Sequence, residues 1–358
     1  MKIVYDNIIY SLQKAGGISI YWTELIKRLI QKKDNILFFE FFNNNIFKKY
    51  IDIKTQEEFR LNLKILRYLP FLKKIPVKSI FHSSYYRVSL QKNIVNITTV
   101  HDFTYEYFGN GLAKYIHMWQ KGFAIKRSDG IICVSENTKK DLKKFYPKID
   151  ESKIEVIYNG VSNQFLTIED PEKYLIGDFK ILNNIKFILY VGDRSSYKNF
   201  DISIRILEEL DDYSLVIVGG KELDNSEKEY IKNIKDRVYH FRGIGGVELN
   251  ILYNNAFCLL YPSSYEGFGI PICEAMKASC PVISTSISSI PEVAGDAALL
   301  VSDIKKEYFI KEVKKLENKE FRNELIIKGL KQVEKFSWDK CFDETYKFYV
   351  KVYRKKFL

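Results

Sequence analysis

Short apolar runs of strand length recur along this chain, each followed by a stretch with helical spacing, and the alternation comes in two series. The first series offers strands at Ile3–Tyr5, Ile36–Phe42, Ser79–His82, Asn96–Val100, Gly130–Val134 and Ile154–Tyr158, with helices near 18–31, 111–127 and 136–145. The second offers strands near 186–191, 214–219, 238–242, 257–261, 281–285 and 298–301. Strand–helix alternation of this kind predicts an α/β fold, in which strands covered on both faces read as apolar throughout. Between the series, residues 163–184 (NQFLTIEDPEKYLIGDFKILNN) turn polar and lose the rhythm. We therefore expect two doubly wound parallel-sheet domains, 1–165 and 185–335, joined by a linker at 166–184. The last stretch, 336–358, predicts a helix with Trp338, Phe342, Tyr346 and Tyr349 on one stripe, packing towards the first domain.

A length of 358 residues with 46% hydrophobic content suffices for two cores. No run reaches the roughly 18 apolar residues of a spanning helix, and MKIVYDNIIY enters a strand pattern without a secretion leader, so the expected location is the cytoplasm. Five cysteines (Cys133, Cys258, Cys273, Cys280 and Cys341) without a C-x-x-C read as reduced core residues. The net charge of +11 is uneven: residues 1–150 hold 26 Lys and Arg against 13 Asp and Glu. Within them, 60–78 (RLNLKILRYLPFLKKIPVK) interleaves cations with apolar residues. That pattern suits a face on an anionic membrane, at the inner surface of the cytoplasmic membrane. Nucleic acid is the competing partner for such a patch, and an ordinary amphipathic helix with its apolar side in the core is the further alternative.

Chemistry concentrates in residues 262–295, PSSYEGFGIPICEAMKASCPVISTSISSIPEVAG. Glu266 and Glu274 stand eight positions apart, which on one helix would leave them about 80° apart in azimuth and more than two turns apart along the axis. Gly267-Phe268-Gly269-Ile270-Pro271 breaks that helix, because glycines permit a tight loop and proline suits a helix's first position. Glu266 is then expected on a loop and Glu274 in the first turn of a helix. The loop follows the apolar run Cys258–Tyr261, so it leaves the carboxyl end of a buried strand, where open α/β sheets bind ligands and a helix start favours anions.

Three further stretches accompany this block: AGGISIYWTELIKRL at 15–29, VHDFTYEY to RSDGIICVSENTKKDL at 100–142, and YVGDRSSYKNFD at 190–201. Together with PSSYEGFGIPICEAM, PVIST and SSIPEVAGDAALLVS, they resemble the retaining glycosyltransferases of family 4, with their E-x7-E signature. The resemblance covers about three quarters of the chain and is weak between residues 32 and 95. It implies the GT-B fold, two Rossmann-like domains with a C-terminal helix crossing back to the first. It also implies that Arg194 and Lys198 bind the donor diphosphate, that Glu274 accepts hydrogen bonds from the nucleotide ribose, and that Glu266 contacts the transferred sugar. By the same resemblance, Gly267, Phe268 and Gly269 offer backbone donors, Gly16 and Gly17 border the donor, and Ile244 lies where the base is held. His101 corresponds to a histidine that touches the sugar, and Asp102 beside it is a candidate acceptor-side base. The other histidines, His82, His117 and His240, lack that context.

Chemical reasons for these residue types stand apart from the resemblance. Rupture of a sugar–diphosphate bond places negative charge on the leaving group, which cations and N–H donors can stabilise. No D-x-D pair, the usual holder of a divalent ion on a diphosphate, occurs, and no G-x-G-x-x-G argues for a dinucleotide enzyme. The expectation is a retaining, metal-independent hexosyltransferase with a GDP- or UDP-sugar donor, no cofactor and no nucleic-acid partner. Its acceptor would be a hydroxyl of a lipid-linked bacterial surface glycan, and domain closure would bring His101 and Gly17 over the donor. A nucleotide-sugar epimerase, a glycan phosphorylase, or a non-catalytic binder of nucleotide sugar or nucleic acid are the alternatives.

Overall fold

A computed structural model describes residues 1–32, 35–58 and 62–358. Its strands are β1 Lys2–Asp6, β2 Asn35–Phe39, β3 Thr55–Gln56, β4 Ser79–Ser83, β5 Ile94–Val100, β6 Gly130–Cys133 and β7 Ile154–Val156, followed by β8 Phe187–Val191, β9 Ser214–Val218, β10 Val238–Phe241, β11 Cys258–Tyr261, β12 Val282–Thr285 and β13 Leu299–Val301. The first seven form one sheet in the order β3-β2-β1-β4-β5-β6-β7 and the last six another, β10-β9-β8-β11-β12-β13. Every pairing within them is parallel. Both sheets thus wind outward from their first strand in one direction and then the other, the nucleotide-binding order of Rossmann-like domains, and together they give the GT-B fold. β1, β4 and β5 are almost wholly buried, as strands roofed by helices must be.

The chain divides into unit 1, Met1–Gly160 with Ser337–Leu358, and unit 2, Val161–Phe336. The division falls after Gly160, where the sequence suggested residue 165. Residues 166–184, expected as a linker, are fastened to unit 2. Leu166 and Ile168 donate their N–H groups to the Asn250 and Asn254 side chains, Phe179 and Leu182 are buried, and Phe179 meets Phe241 edge to face at 4.9 Å. A few apolar anchors and two asparagines hold a stretch that composition alone reads as loose.

The C-terminal helix Trp338–Phe357 returns to unit 1, with Ser337 capping its start. Trp338, Phe342, Phe348 and Tyr349 share one core with Ile3, Tyr5, Tyr21 and Trp22, while Tyr346 is only partly buried against it. Glycine is required where the chain crosses back, since a Cβ on Gly160 would overlap the backbone of Ser337 and Trp338. Inside this core Tyr349 Oη lies 2.8 Å from Tyr5 Oη and 2.5 Å from His82 Nδ1, and His82 Nε2 lies 3.0 Å from Thr99 Oγ1. His82 is therefore a structural histidine.

Among the described residues of the basic segment 60–78 there is no long amphipathic helix. Arg60 and Leu61 lie outside the described residues, and beyond them only Leu63–Leu66 is helical before Pro70 and Pro76 interrupt it. Leu66, Phe71 and Ile75 turn inward. All five cysteines are free and buried, as their apolar contexts suggested. No helix among the described residues is long and apolar enough to cross a membrane.

Candidate active site at the switch point of the second sheet

In unit 2 the winding direction reverses between β8 and β11, and the loops leaving their carboxyl ends, 192–199 and 262–269, carry the candidate residues. The two loops meet. Lys198 Nζ donates to Glu266 Oε1 at 2.5 Å and to Tyr261 Oη at 3.0 Å. Asn199, left-handed at φ 50°, sends its Nδ2 to Pro262 O and Ser264 Oγ, both at 2.7 Å. Burial disfavours the Lys198 ammonium, but Glu266 beside it more than offsets this and raises its pKa, so the charge persists at any physiological pH.

Serines fix the second loop. Ser263 Oγ donates to Glu266 Oε1 at 2.5 Å, Ser288 Oγ accepts from Glu266 N at 2.9 Å, and Ser289 Oγ donates to Glu266 O at 2.9 Å. Phe268 is buried and packs edge to face on Phe336. Gly269, at φ 97°, caps the helix Ile270–Lys277.

Pro271 takes the second position of that helix, and Glu274 lies one turn deeper than the expected first turn. Glu274 is buried and accepts a hydrogen bond from Tyr253 Oη at 3.1 Å. Loss of water around its carboxylate, only partly countered by that bond, raises its pKa to about 7. Glu266 and Glu274 thus have separate partners, one paired with a cation and one held in a poorly solvated pocket.

Arg194 follows another course. Its Nε donates to Glu227 Oε1 at 2.5 Å, and its Nη2 reaches Glu227 and the carbonyls of Lys221 and Glu222. Nη1, buried, has no hydrogen-bond partner. Gly220, at φ 70°, leaves room for it, because a Cβ there would overlap Nη1. Ile244 is half-buried in the turn between β10 and the helix Gly246–Asn255.

In unit 1, His101 and Asp102 follow β5 at its carboxyl end, as expected from sequence. The His101 ring meets Tyr21 edge to face at 4.9 Å, and burial holds its imidazole neutral by lowering its pKa. Burial works to raise the Asp102 carboxyl, but the Lys121 ammonium, the Thr104 N–H and His101 outweigh it and keep Asp102 ionised. Lys121, fully buried, donates to Asp102 O at 2.9 Å and to Glu106 Oε2 at 2.7 Å. Gly16, in extended backbone, and Gly17 begin the helix Gly17–Gln31, so this loop contains no left-handed glycine turn.

At unit 1's own switch point, between β1 and β4, the arrangement is closed. Arg87 donates to Asp6 at 2.9 Å and to Glu58 at 2.7 Å, and no part of the three side chains reaches solvent. The sequence reading missed this triad, and it missed Tyr253, Tyr261, Ser263, Ser288, Ser289 and Glu227. Tyr261 lies just before the recognised block and Ser263, Ser288 and Ser289 within it, so they were legible as its frame; Glu227, Tyr253 and the Arg87 triad, from distant elements, were not.

Two family models match the chain, Glycosyl transferases group 1 over residues 176–332 and Glycosyltransferase Family 4 over residues 15–165. An O-antigen chain mannosyltransferase of Salmonella typhimurium is 30% identical over 231 residues, a match taking in 63% of this chain and 61% of that enzyme. An uncharacterised glycosyltransferase of Methanocaldococcus jannaschii is 27% identical over 95% of both chains. Among solved structures, the Anabaena protein HepE in complex with UDP-glucose superimposes with a TM-score of 0.76 at 14% identity, covering 98% of this chain and 100% of that one.

Proposed function

The chain belongs to the group 1 glycosyltransferases, and from that premise we propose a retaining, metal-independent hexosyltransferase that elongates a lipid-linked bacterial surface glycan in the cytoplasm. The observation that carries this reading is the Lys198–Glu266 pair at the switch point, a fixed cation and a fixed carboxylate at the mouth of a nucleotide-type sheet. The donor is a GDP- or UDP-linked mannose-like or glucose-like sugar. Both bases stay in view because one relative is a mannosyltransferase and the Anabaena structure holds UDP-glucose.

In the step itself, the bond between the anomeric carbon and the phosphate oxygen breaks and its electron pair leaves with the diphosphate. The Lys198 ammonium stabilises that charge, and Arg194 contributes through Nη1, the nitrogen that Glu227 leaves unused. Glu266 faces the sugar, Glu274 takes the ribose hydroxyls, and the backbone of Gly267, Phe268 and Gly269 lies along the donor, with Ile244 at the base. The acceptor oxygen bonds to the anomeric carbon on the face the diphosphate leaves, and its proton passes to the departing phosphate oxygen. For unit 1 the family resemblance assigns Gly16 and Gly17 to the donor, His101, a neutral imidazole, to the sugar hydroxyls and Asp102 to the acceptor.

Transfer from GDP-mannose and UDP-glucose, measured in EDTA with the product anomer read by NMR, tests this. Retained configuration and undiminished rate are expected, with Lys198→Ala lowering kcat roughly 100- to 1,000-fold. Inverted product, loss of activity in EDTA, or an unaffected Lys198→Ala enzyme would overturn it.

A further inference from the structure

Lys121, in the middle of the helix Gly111–Arg127, has no part of its side chain open to solvent. Ala124 and Ile125, three and four positions on, are buried as apolar residues on an inward face should be, and Lys121 takes that face one turn earlier. A methionine there would fill much the same volume without withdrawing a charge from water. What holds the charge is a single stretch of chain. Lys121 Nζ donates to Asp102 O at 2.9 Å and to Glu106 Oε2 at 2.7 Å, and it lies 4.5 Å from the centre of the Phe103 ring. Asp102, Phe103 and Glu106 all follow β5, in the segment that begins with His101. The other oxygen of Glu106 is buried with no hydrogen-bond partner among the described residues, so the value of this carboxylate lies in keeping the lysine charged. Asp102 is fixed a second time by the Thr104 N–H, which donates to Oδ1 at 2.9 Å.

We propose that Lys121 is a positioning residue for sugar transfer, clamping the turn that carries His101 and Asp102 and setting the charge each presents. It rests on the roles given to those two residues in the proposed function. An ionised Asp102 beside His101 favours a proton on the ring, and an imidazolium cannot accept a hydrogen bond from a sugar hydroxyl. Burial of the ring opposes the His101 imidazolium, Asp102 favours it, and Lys121 opposes it again. For Asp102, burial opposes ionisation and the Lys121 ammonium is the foremost group restoring it. Other elements bring no second cation to the turn. Tyr21 of the helix Gly17–Gln31, His82 of β4, Tyr86 just after β4 and His117 beside Lys121 are all kept uncharged at neutral pH by burial. Glu106 is paired with the lysine itself. One buried ammonium therefore serves both members of the pair, keeping the carboxylate charged and the imidazole neutral.

Histidine NMR reads this clamp without substrate. The chain has four histidines, and His101→Gln identifies the His101 signal by its loss. Lys121→Met alone would strand the Glu106 carboxylate, so the cation is removed in Lys121→Met with Glu106→Gln, and Glu106→Gln alone is the control. In the wild-type protein His101 should titrate well below the ordinary imidazole value. The double variant should raise its proton affinity about tenfold over the control. In turnover the double variant should lose about 10- to 100-fold in kcat with donor KM within about threefold of the control, because the donor residues of unit 2 are untouched. Its rate should also begin to fall about one pH unit higher on the acid side. A wild-type His101 titrating at the ordinary value would overturn the proposal, and this measurement needs no altered lysine. Equal His101 titration in the double variant and the control, or a loss of rate matched by the rise in donor KM, would overturn it too. The titrations are read without turnover, so their failure leaves the proposed reaction standing. An inactive protein in which His101 shifts as expected would count against the reaction and for the clamp.

Discussion

The two sheets share a winding order, yet their switch points are put to opposite uses. In unit 1 the crevice between β1 and β4 is closed by Arg87 with Asp6 and Glu58, all without solvent exposure. In unit 2 the crevice between β8 and β11 holds Lys198 and Glu266, each with 12% of its side chain open to solvent. A doubly wound sheet creates a crevice at its reversal, but the residues in the flanking loops decide whether it is a lock or a site. Three charges buried together have been withdrawn from water at a cost that only their mutual pairing recovers, which suits permanence. One pair at the rim can exchange partners with a ligand.

The largest expected contrast follows from that difference. Arg87→Ala should lower the unfolding free energy by about 3–5 kcal/mol, because two buried carboxylates lose their cation. Lys198→Ala should cost less, about 1–3 kcal/mol, since Ser263 still donates to Glu266. Denaturant titrations followed by circular dichroism measure both, and equal losses would break the comparison.

A middle-sized effect belongs to Glu274. Its carboxyl rises from the ordinary 4.5 to about 7 on folding. The folded state then holds the proton more tightly than the unfolded one, so this group favours folding at low pH. That contribution is lost as pH rises through 4.5 to 7 and reaches about 3 kcal/mol. Glu274→Gln should flatten this slope. If the ionised carboxylate takes the ribose hydroxyls, nucleotide affinity should climb towards pH 7 and level off above it, a profile calorimetry reads directly and Glu274→Gln should abolish.

The smallest test concerns the seam between the two loops of unit 2. Asn199→Gly keeps the left-handed backbone but removes the bonds to Pro262 and Ser264, and should cost about 1 kcal/mol. Asn199→Ala should cost roughly a further 1 kcal/mol, because alanine resists that conformation. Similar melting temperatures for the two variants would show that hydrogen bonding, not backbone strain, dominates there.

Sequence patterns carried much of this molecule because the sheet strands are buried on both faces and read as apolar runs. Each of the twelve strands expected from such runs is present, displaced by a few residues at most. β3, only Thr55–Gln56 and exposed, carries no apolar signal and was missed. The loop position of Glu266, the helix start after Gly269 and the strand-end position of His101 were also legible, because glycine, proline and apolar runs act locally. The amphipathic helix suggested by segment 60–78 failed to form for an equally physical reason. Mixed basic and apolar composition in 60–78 looks amphipathic, but prolines break it, and Leu66, Phe71 and Ile75 join the core while Ile65, Leu72 and Val77 stay exposed.

By itself the amino-acid order determined the α/β class, the two wound halves, the reduced buried cysteines and the glycine loop between Glu266 and Glu274, since each depends on neighbours within a few positions. Only the tertiary structure decided that Lys198 reaches Glu266 while Arg194 turns to Glu227, and that Arg87 locks the first switch point. Those outcomes depend on strand order, which sets β8 beside β11 and so brings Lys198 to Glu266 across 68 positions. No local pattern encodes which loops will emerge side by side.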